Sequence, residues 1–354
     1  MRKSIAIILG IVLALQTPVS LFASENVSNS GESIDTVEMH ASNYVVLMQE
    51  DTDPVYSMSA QDEMNSMVVT EAAEEKLEEQ NIAVLELTPE EAEQLENRED
   101  VLAIEEDITL NASGSVLEEI RKNKRKRGSQ DIDRREEQWN LEAIHLPQSV
   151  ENVDIVRTAV LDSGVSYSSD LDIVKNIGIN DVGEMDNIMF DDATGHGTGV
   201  AGIIGAKDNA IGIRGIHPEA EIYSMRILNE NNQTTLSQVV AGIYQAIDSG
   251  CDILNMSFGT NVDSEILHEA IRAAYSEGIL LIASAGNHEG SVVEYPAAYE
   301  EVMAVGATDV TGNKMLGTND GVEIEIFAPG SQVPTSGLFG GTAIVEGTST
   351  SNNN

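Results

Sequence analysis

Residues 251–287 read CDILNMSFGTNVDSEILHEAIRAAYSEGILLIASAGN. Two short apolar runs, CDILNMSFG and ILLIASAGN, flank DSEILHEAIRAAYSEG, whose apolar residues recur at helical spacing. Short apolar runs closed by Gly read as buried strands, and a strand–helix–strand order joins parallel neighbours by a crossover. The same alternation extends upstream. RTAVLDSG and AEIYSMRIL read as strands, and LSQVVAGIYQAIDSG places Leu236, Val239, Val240, Ile243, Ala246 and Ile247 on one helical stripe. From about residue 136 onward the pattern therefore predicts an α/β domain, a parallel β-sheet with helices on both faces. No internal repeat is visible.

The N-terminal third follows another plan. Arg2 and Lys3 precede IAIILGIVLAL, and LFAS follows, the three regions of a secretory signal over residues 1–23. The apolar run is too short to span a bilayer comfortably, so no stable membrane insertion is expected. A polar linker covers 24–42. Residues 43–113 then read as a small α+β unit: strand NYVVLMQE (43–50), helix TEAAEEKLEEQ (70–80), strand IAVLEL (82–87), a second helix, and strand VLAIEEDITL (101–110). The second helix has its start written in Thr88-Pro89-Glu90-Glu91, a cap, a Pro in the first turn and a Glu at N3 that completes a capping box.

Charge separates the segments. The chain carries a formal −41, which excludes nucleic acid as a natural partner because phosphates are repelled. Between Ser24 and Ser113, 24 Asp and Glu face two basic residues, so this unit holds about half the excess. RKNKRKRG (121–128) is the one basic block; lying between two folded segments, it reads as an exposed linker (114–135) open to proteolysis. Cys251 is the single cysteine, which precludes an intrachain disulfide and suits a buried apolar position. An exported chain without disulfides fits a bacterial source, secreted or held in the cell envelope.

Three segments carry chemistry. Asp162 ends the strand of AVLDSG, His196 lies in GHGTGVAGIIGA, and Ser349 lies in EGTSTS. Sites form at the carboxyl ends of parallel strands, so residues far apart in sequence converge there. With AVLDSGV, HGTGVAG, DILNMSFG, ASAGN, YPAAYEEVMAVGATD and EGTSTS in this order, the chain resembles the subtilisin-like serine peptidases, and the acidic unit resembles their inhibitory propeptide.

The resemblance implies a secreted endopeptidase zymogen that hydrolyses polypeptides through an acyl-enzyme, with its own propeptide as intramolecular inhibitor and no catalytic cofactor. Ser349 would be the nucleophile, His196 the base, Asp162 the residue that orients the imidazole, and Asn287 an oxyanion donor beside the Ser349 N–H. Ser257, Phe258 and Gly259, with Ser284, Ala285 and Gly286, would flank the substrate side chain before the cut and pair with an extended substrate. Phe258 and the glycines would shape an apolar slot. A structural Ca²⁺ is implied at Asp170, Lys207, Asn209, Ile211 and Ile213, with Gln138 or Glu136 as a further ligand.

The family's serine begins a buried apolar helix, whereas here Thr350-Ser351 leads into three Asn. The peptidase domain, 136–354, is thus expected to be incomplete at its C-terminus, with Ser349 poorly held and nearly inert. The alternative is an inert protein that keeps the fold for binding.

Overall fold

The computed structural model describes residues 41–49, 71–120, 134–147, 155–179, 192, 194–209 and 211–354. The signal at 1–23, the polar segment up to residue 40 and the basic block 121–128 lie outside them. The described residues fall into two compact units.

The smaller unit holds strand β1 (Ser42–Met48), β2 (Ile82–Leu87) and β3 (Val101–Glu106), an antiparallel sheet of order β2-β1-β3. Alternation puts Val46, Met48, Ala83, Leu85 and Leu87 on one face, where Ala92 and Leu95 of the helix Pro89–Glu96 cover them. That helix starts where the sequence directs: Thr88 accepts from the Glu91 N–H, and the Glu91 carboxylate accepts from the Thr88 N–H at 2.9 Å. The earlier helix, α1 (Glu71–Glu78), groups with the larger unit through Leu77, and its Lys76 pairs with Asp248 at 2.6 Å. Pro89–Glu96 is therefore α2.

The larger unit resumes at Ile108. Strands β4 (Thr109–Ala112) and β5 (Gly114–Ile120) precede α3 (Trp139–Ala143), β6 (Arg157–Asp162), β7 (Ile173–Gly178), α4 (His196–Gly205), β8 (Glu221–Arg226), β9 (Gln233–Thr235) and α5 (Leu236–Asp248). Next come β10 (Ile253–Met256), β11 (Phe258–Gly259), α6 (Glu265–Ser276), β12 (Leu280–Ser284), β13 (Met303–Thr308), β14 (Ile324–Pro329), β15 (Val333–Gly337), β16 (Gly341–Gly347) and α7 (Thr348–Ser351).

Seven of these form a parallel sheet of order β14-β13-β12-β10-β6-β8-β7. The opening stretch, 251–287, supplies β10, α6 and β12. The sheet interior is apolar on both faces, with Ala159, Leu161, Leu254, Met256 and Ala283 fully buried, as helices on both sides require. Ser264 caps α6 by accepting from the Leu267 N–H at 3.0 Å. From β6 the chain runs to β7 at the sheet edge, returns to β8 between them and then crosses to β10 on the other side of β6, so the strand order reverses beside β6, where sites form at the carboxyl ends.

Two readings change. VLAIEEDITL is not one strand: it breaks after Glu106, and β4 pairs instead with β11 and β9 of the larger unit. Residues 114–120, assigned by sequence to a linker, form β5, which pairs antiparallel with β16. A polar strand is stable at that edge because its partner supplies the backbone bonds.

Candidate active site

Asp162 sits at the carboxyl end of β6, His196 opens α4, and Ser349 lies in the first turn of α7. All three are buried. His196 Nδ1 lies 2.7 Å from Asp162 Oδ1, and His196 Nε2 lies 3.0 Å from Ser349 Oγ. Asp162 Oδ1 also accepts from the Ser163 N–H at 2.7 Å. These contacts fix the ring, leaving Nε2 toward the serine.

Burial alone would lower the His196 pKa. The Asp162 carboxylate, with a smaller contribution from Asp192, outweighs that effect, so the net shift is upward. Asp192 is a site residue that the sequence reading missed. Its carboxylate accepts from the N–H groups of Gly195 (2.8 Å) and Thr198 (2.8 Å) and from Ser163 Oγ (2.7 Å), tying the start of α4 to the loop after β6. Burial drives its own pKa up, against the bonds from Thr198 and Ser163. The signal was present, since an Asp just ahead of Thr194 and Gly195 is an Asx-turn pattern.

Ser349 is held despite the polar residues after it, contrary to the expectation of a mobile serine. The Thr348 N–H and hydroxyl donate to Asn287 Oδ1 at 2.9 and 3.0 Å, and the Gly286 N–H donates to Thr348 Oγ1 at 3.2 Å. Asn354 donates to Pro329 O at 3.0 Å and accepts from Asn140 Nδ2 at 2.7 Å. Polar bonds do here what apolar burial was expected to do. Each such group left unpaired in a buried site would cost about 1–3 kcal/mol, so the set is held together.

A peptide bond of the chain itself occupies the centre. The Ser113 carbonyl accepts from the Ser349 N–H at 3.1 Å and from the Asn287 side-chain amide. Upstream, β4 lies between β11 and β9, with Ala112 opposite Phe258 and Leu110 opposite Thr234, and the Ser113 N–H donates to Ser257 O at 2.9 Å. Downstream, β5 runs along β16, with Gly114 opposite Gly347. Two glycines allow this approach. A Cβ on Gly114 would overlap Ser349 Oγ. Gly347, at φ +132°, would meet the Ser113 carbonyl with any side chain.

The sequence-assigned binding residues divide. Ser257 and Gly259 line the extended segment through their backbones. Phe258 pairs through its backbone, but its ring is fully buried, so it does not shape a slot. Of Ser284, Ala285 and Gly286, none pairs with residues 109–113. Ser284 is in the core sheet, Ala285 bonds Val305 and Glu294, and Gly286 holds Thr348. The second edge is Gln233–Thr235, a three-residue strand hidden in the sequence as a helix cap.

The calcium residues gather around the 206–213 loop. The Lys207 N–H donates to the Asp170 carbonyl at 2.8 Å, Asn209 Nδ2 donates to Asp170 Oδ1 at 2.8 Å, and the Ile211 N–H donates to Asn209 Oδ1 at 3.0 Å. Ile213 is fully buried. Gln138 is engaged with the Arg214 backbone at 2.7 and 2.8 Å. Among the described residues no group of three or more His, Cys, Asp or Glu is arranged to hold a metal ion. The Cys251 thiol is buried and its pKa is pushed up to about 12, so it is not a thiolate at neutral pH.

At the strand-order switch Asp162, His196 and Ser349 form a hydrogen-bonded chain, beside two N–H donors that meet the Ser113 carbonyl. Residues 155–353 match the Subtilase family, and the chain belongs to it. It is 38% identical over 260 residues to the minor extracellular protease Epr of Bacillus subtilis (strain 168), covering 72% of this chain and 39% of that protein. It is 38% identical over 183 residues to subtilisin DY of Bacillus licheniformis, covering 50% of this chain and 65% of that one. Over 194 residues it is 37% identical to subtilisin BL of Lederbergia lenta, covering 55% and 71%. The chain thus spans less than two thirds of the first two relatives. Among the described residues no helix is long and apolar enough to cross a membrane.

Proposed function

We propose that this chain is a secreted serine endopeptidase made as a zymogen, and that its first substrate is its own Ser113–Gly114 bond. The observation that carries the proposal is the Ser113 carbonyl, held by the Ser349 N–H and Asn287 next to the Ser349–His196 pair. Ser349 Oγ adds to the Ser113 carbonyl carbon while His196 Nε2 takes the hydroxyl proton. Asp162 stabilises the imidazolium, and the oxyanion rests on the two donors. His196 then delivers the proton to the departing Gly114 nitrogen, leaving Ser113 esterified to Ser349. Water, activated by His196, frees the Ser113 carboxylate.

The product ending at Ser113 keeps its β4 pairing and so would block the cleft, which is the inhibitory role proposed for residues 43–113. Secretion is supported by the leader pattern at 1–23 and by the extracellular relative. The hydrogen-bonded chain of Asp162, His196 and Ser349 supports the peptidase reading over the binding-only alternative.

Incubating the purified chain and weighing the fragments tests this: one ends at Ser113 and the other begins at Gly114. A new N-terminus elsewhere, with Ser113–Gly114 intact, would overturn it. Asn287→Ala should slow the cut by about 10²–10³, the loss that follows removal of the equivalent donor in subtilisin. A loss under about fivefold would mean that Asn287 does not meet the developing charge.

The oxygens at Asp170, Lys207, Asn209, Ile211 and Ile213 suit a hard cation, and we propose that they hold Ca²⁺. The donors are the chemistry Ca²⁺ takes: one buried carboxylate, one amide and loop carbonyls. When bound, the ion supplies stability to the loop after α4. Calcium at a hundredfold excess over its Kd should raise the thermal midpoint by about 5–10 °C, and Asp170→Asn should remove the rise. An unchanged midpoint on adding and chelating calcium would exclude the site.

A further inference from the structure

We propose that Glu294 is the residue that selects substrates, and that the peptidase cuts after lysine or arginine. The inference rests on the peptidase reading above and names its substrate class. Beside the Ser113–Gly114 bond opens a cavity of about 480 Å³, lined among others by Ser113, Gly259, Asn287, His288 and Glu294. Because the Ser113 carbonyl marks the bond to be cut, this cavity receives the side chain on its N-terminal side. Ser113 is too small to fill it, and its hydroxyl is buried without a partner.

The carboxylate of Glu294 lies within this space. The residue is 5% exposed. A Cβ added to Gly259 would run into Glu294 Oε2, and one added to Gly286 would come within 2.8 Å of the carboxyl carbon. The acid therefore sits between the two backbone segments that bracket the site. Glycine at both positions leaves it room. With the Phe258 ring in the core, this slot is acidic at its base and not apolar.

A carboxylate taken this far from water needs donors. Among the described residues its one ion-pair partner is His288, whose Nδ1 lies 2.9 Å from Oε1 and whose side chain is 73% exposed at the rim. Oε2 is left toward Gly259. A lysine ammonium or arginine guanidinium entering the slot would supply a charge-assisted donor to that oxygen. An apolar side chain would desolvate the acid and give nothing back.

The cut at Ser113 leaves the acid unmatched. It proceeds because the bond is already positioned, so proximity replaces side-chain recognition. Cuts in trans lack that advantage and fall to basic residues. The chain offers such residues just downstream in Arg121, Lys122, Lys124, Arg125, Lys126 and Arg127. A second, trimming cut is therefore expected after one of them.

The test uses the chain after self-cleavage, diluted until the fragment ending at Ser113 has left the cleft, with peptide anilides carrying Arg, Lys, Phe or Leu before the scissile bond. The kcat/KM for Arg should exceed that for Phe by about ten- to hundredfold, the range for a hydrogen bond to a charged group, and Glu294→Gln should collapse this ratio. Mass spectrometry should find new N-termini within 122–128 in the wild-type digest and not in E294Q. Equal rates for Arg and Phe, or a ratio unchanged in E294Q, would overturn the proposal. Binding of p-aminobenzamidine, followed by its fluorescence, needs no turnover: it should be lost in E294Q, and equal binding to both chains would also overturn it. If no anilide is cut and a serine-directed phosphonate does not label the chain, the peptidase reading fails, and the benzamidine titration still decides for or against Glu294.

Discussion

Ser349→Ala should leave the chain uncut, with Ser113–Gly114 intact after any incubation in which the wild type is fully processed. The serine is 2% exposed, and its hydroxyl meets His196 Nε2 at 3.0 Å. Alanine removes that oxygen and little else, while the Ser349 N–H still holds the Ser113 carbonyl. Binding therefore persists and the nucleophile does not. The expected loss is about 10⁶ in rate, as for the same change in subtilisin's own triad. His196→Ala should lose about as much, and the double variant no more, because the two act as one unit. Gel densitometry over days suffices as the measurement. Processing of S349A at a rate within a hundredfold of wild type would mean that another nucleophile makes the cut.

Asp162→Asn should cost about 10⁴ while leaving the fold unchanged. The carboxylate oxygen Oδ1 accepts from His196 Nδ1 at 2.7 Å and from the Ser163 N–H at 2.7 Å. An amide can accept on one side only, and its NH₂ facing Nδ1 would favour the wrong tautomer. The pH profile should change as well. His196 works as a base when neutral. Activity in the wild type therefore appears as pH rises through a pKa that, against the downward pull of burial, Asp162 and Asp192 lift above the ordinary imidazole value. Removing the Asp162 charge removes the larger part of that lift, and the remaining activity should rise at lower pH. Phosphonate labelling rates from about pH 5 to pH 9, a span that brackets the ordinary imidazole pKa, would measure both effects. A rate for D162N within tenfold of wild type, or a limb displaced upward, would contradict this assignment.

Much of the architecture was legible in residue order. The stripe from Leu236 to Ile247, the runs of 251–287 and the Thr88 capping box each specify their own element, because helix and strand periods and caps are local properties. Asp162, His196, Asn287 and Ser349 were legible because each lies in a short glycine-flanked motif at an element's end. Other site residues were hidden. Gln233–Thr235 is too short to show alternation, and Glu294 has no local pattern at all; Asp192 carried an Asx-turn signal just ahead of Thr194 and Gly195 that went unread. The resemblance put Phe258 at a slot, whereas its ring is fully buried, because a family motif gives a residue's place and not the packing of its side chain in this chain.

The sequence by itself determined most of the elements, the parallel sheet and the motifs that carry Asp162, His196 and Ser349, for these depend on neighbours a few residues apart. Only the tertiary structure decided the rest. Ser113 and Gly114 are ordinary small residues until β4 and β5 pair on either side of them and set their peptide against Ser349, 236 positions further on by numbering. Polar bonds from Asn140, Asn287 and Pro329 hold the Ser349 turn, which no count of apolar residues after the serine could reveal. The acid at Glu294 acquires a role only because Gly259 and Gly286 leave it space. Long-range pairing and the volume left between elements are properties of the packed chain, and residue order encodes them only through the fold as a whole.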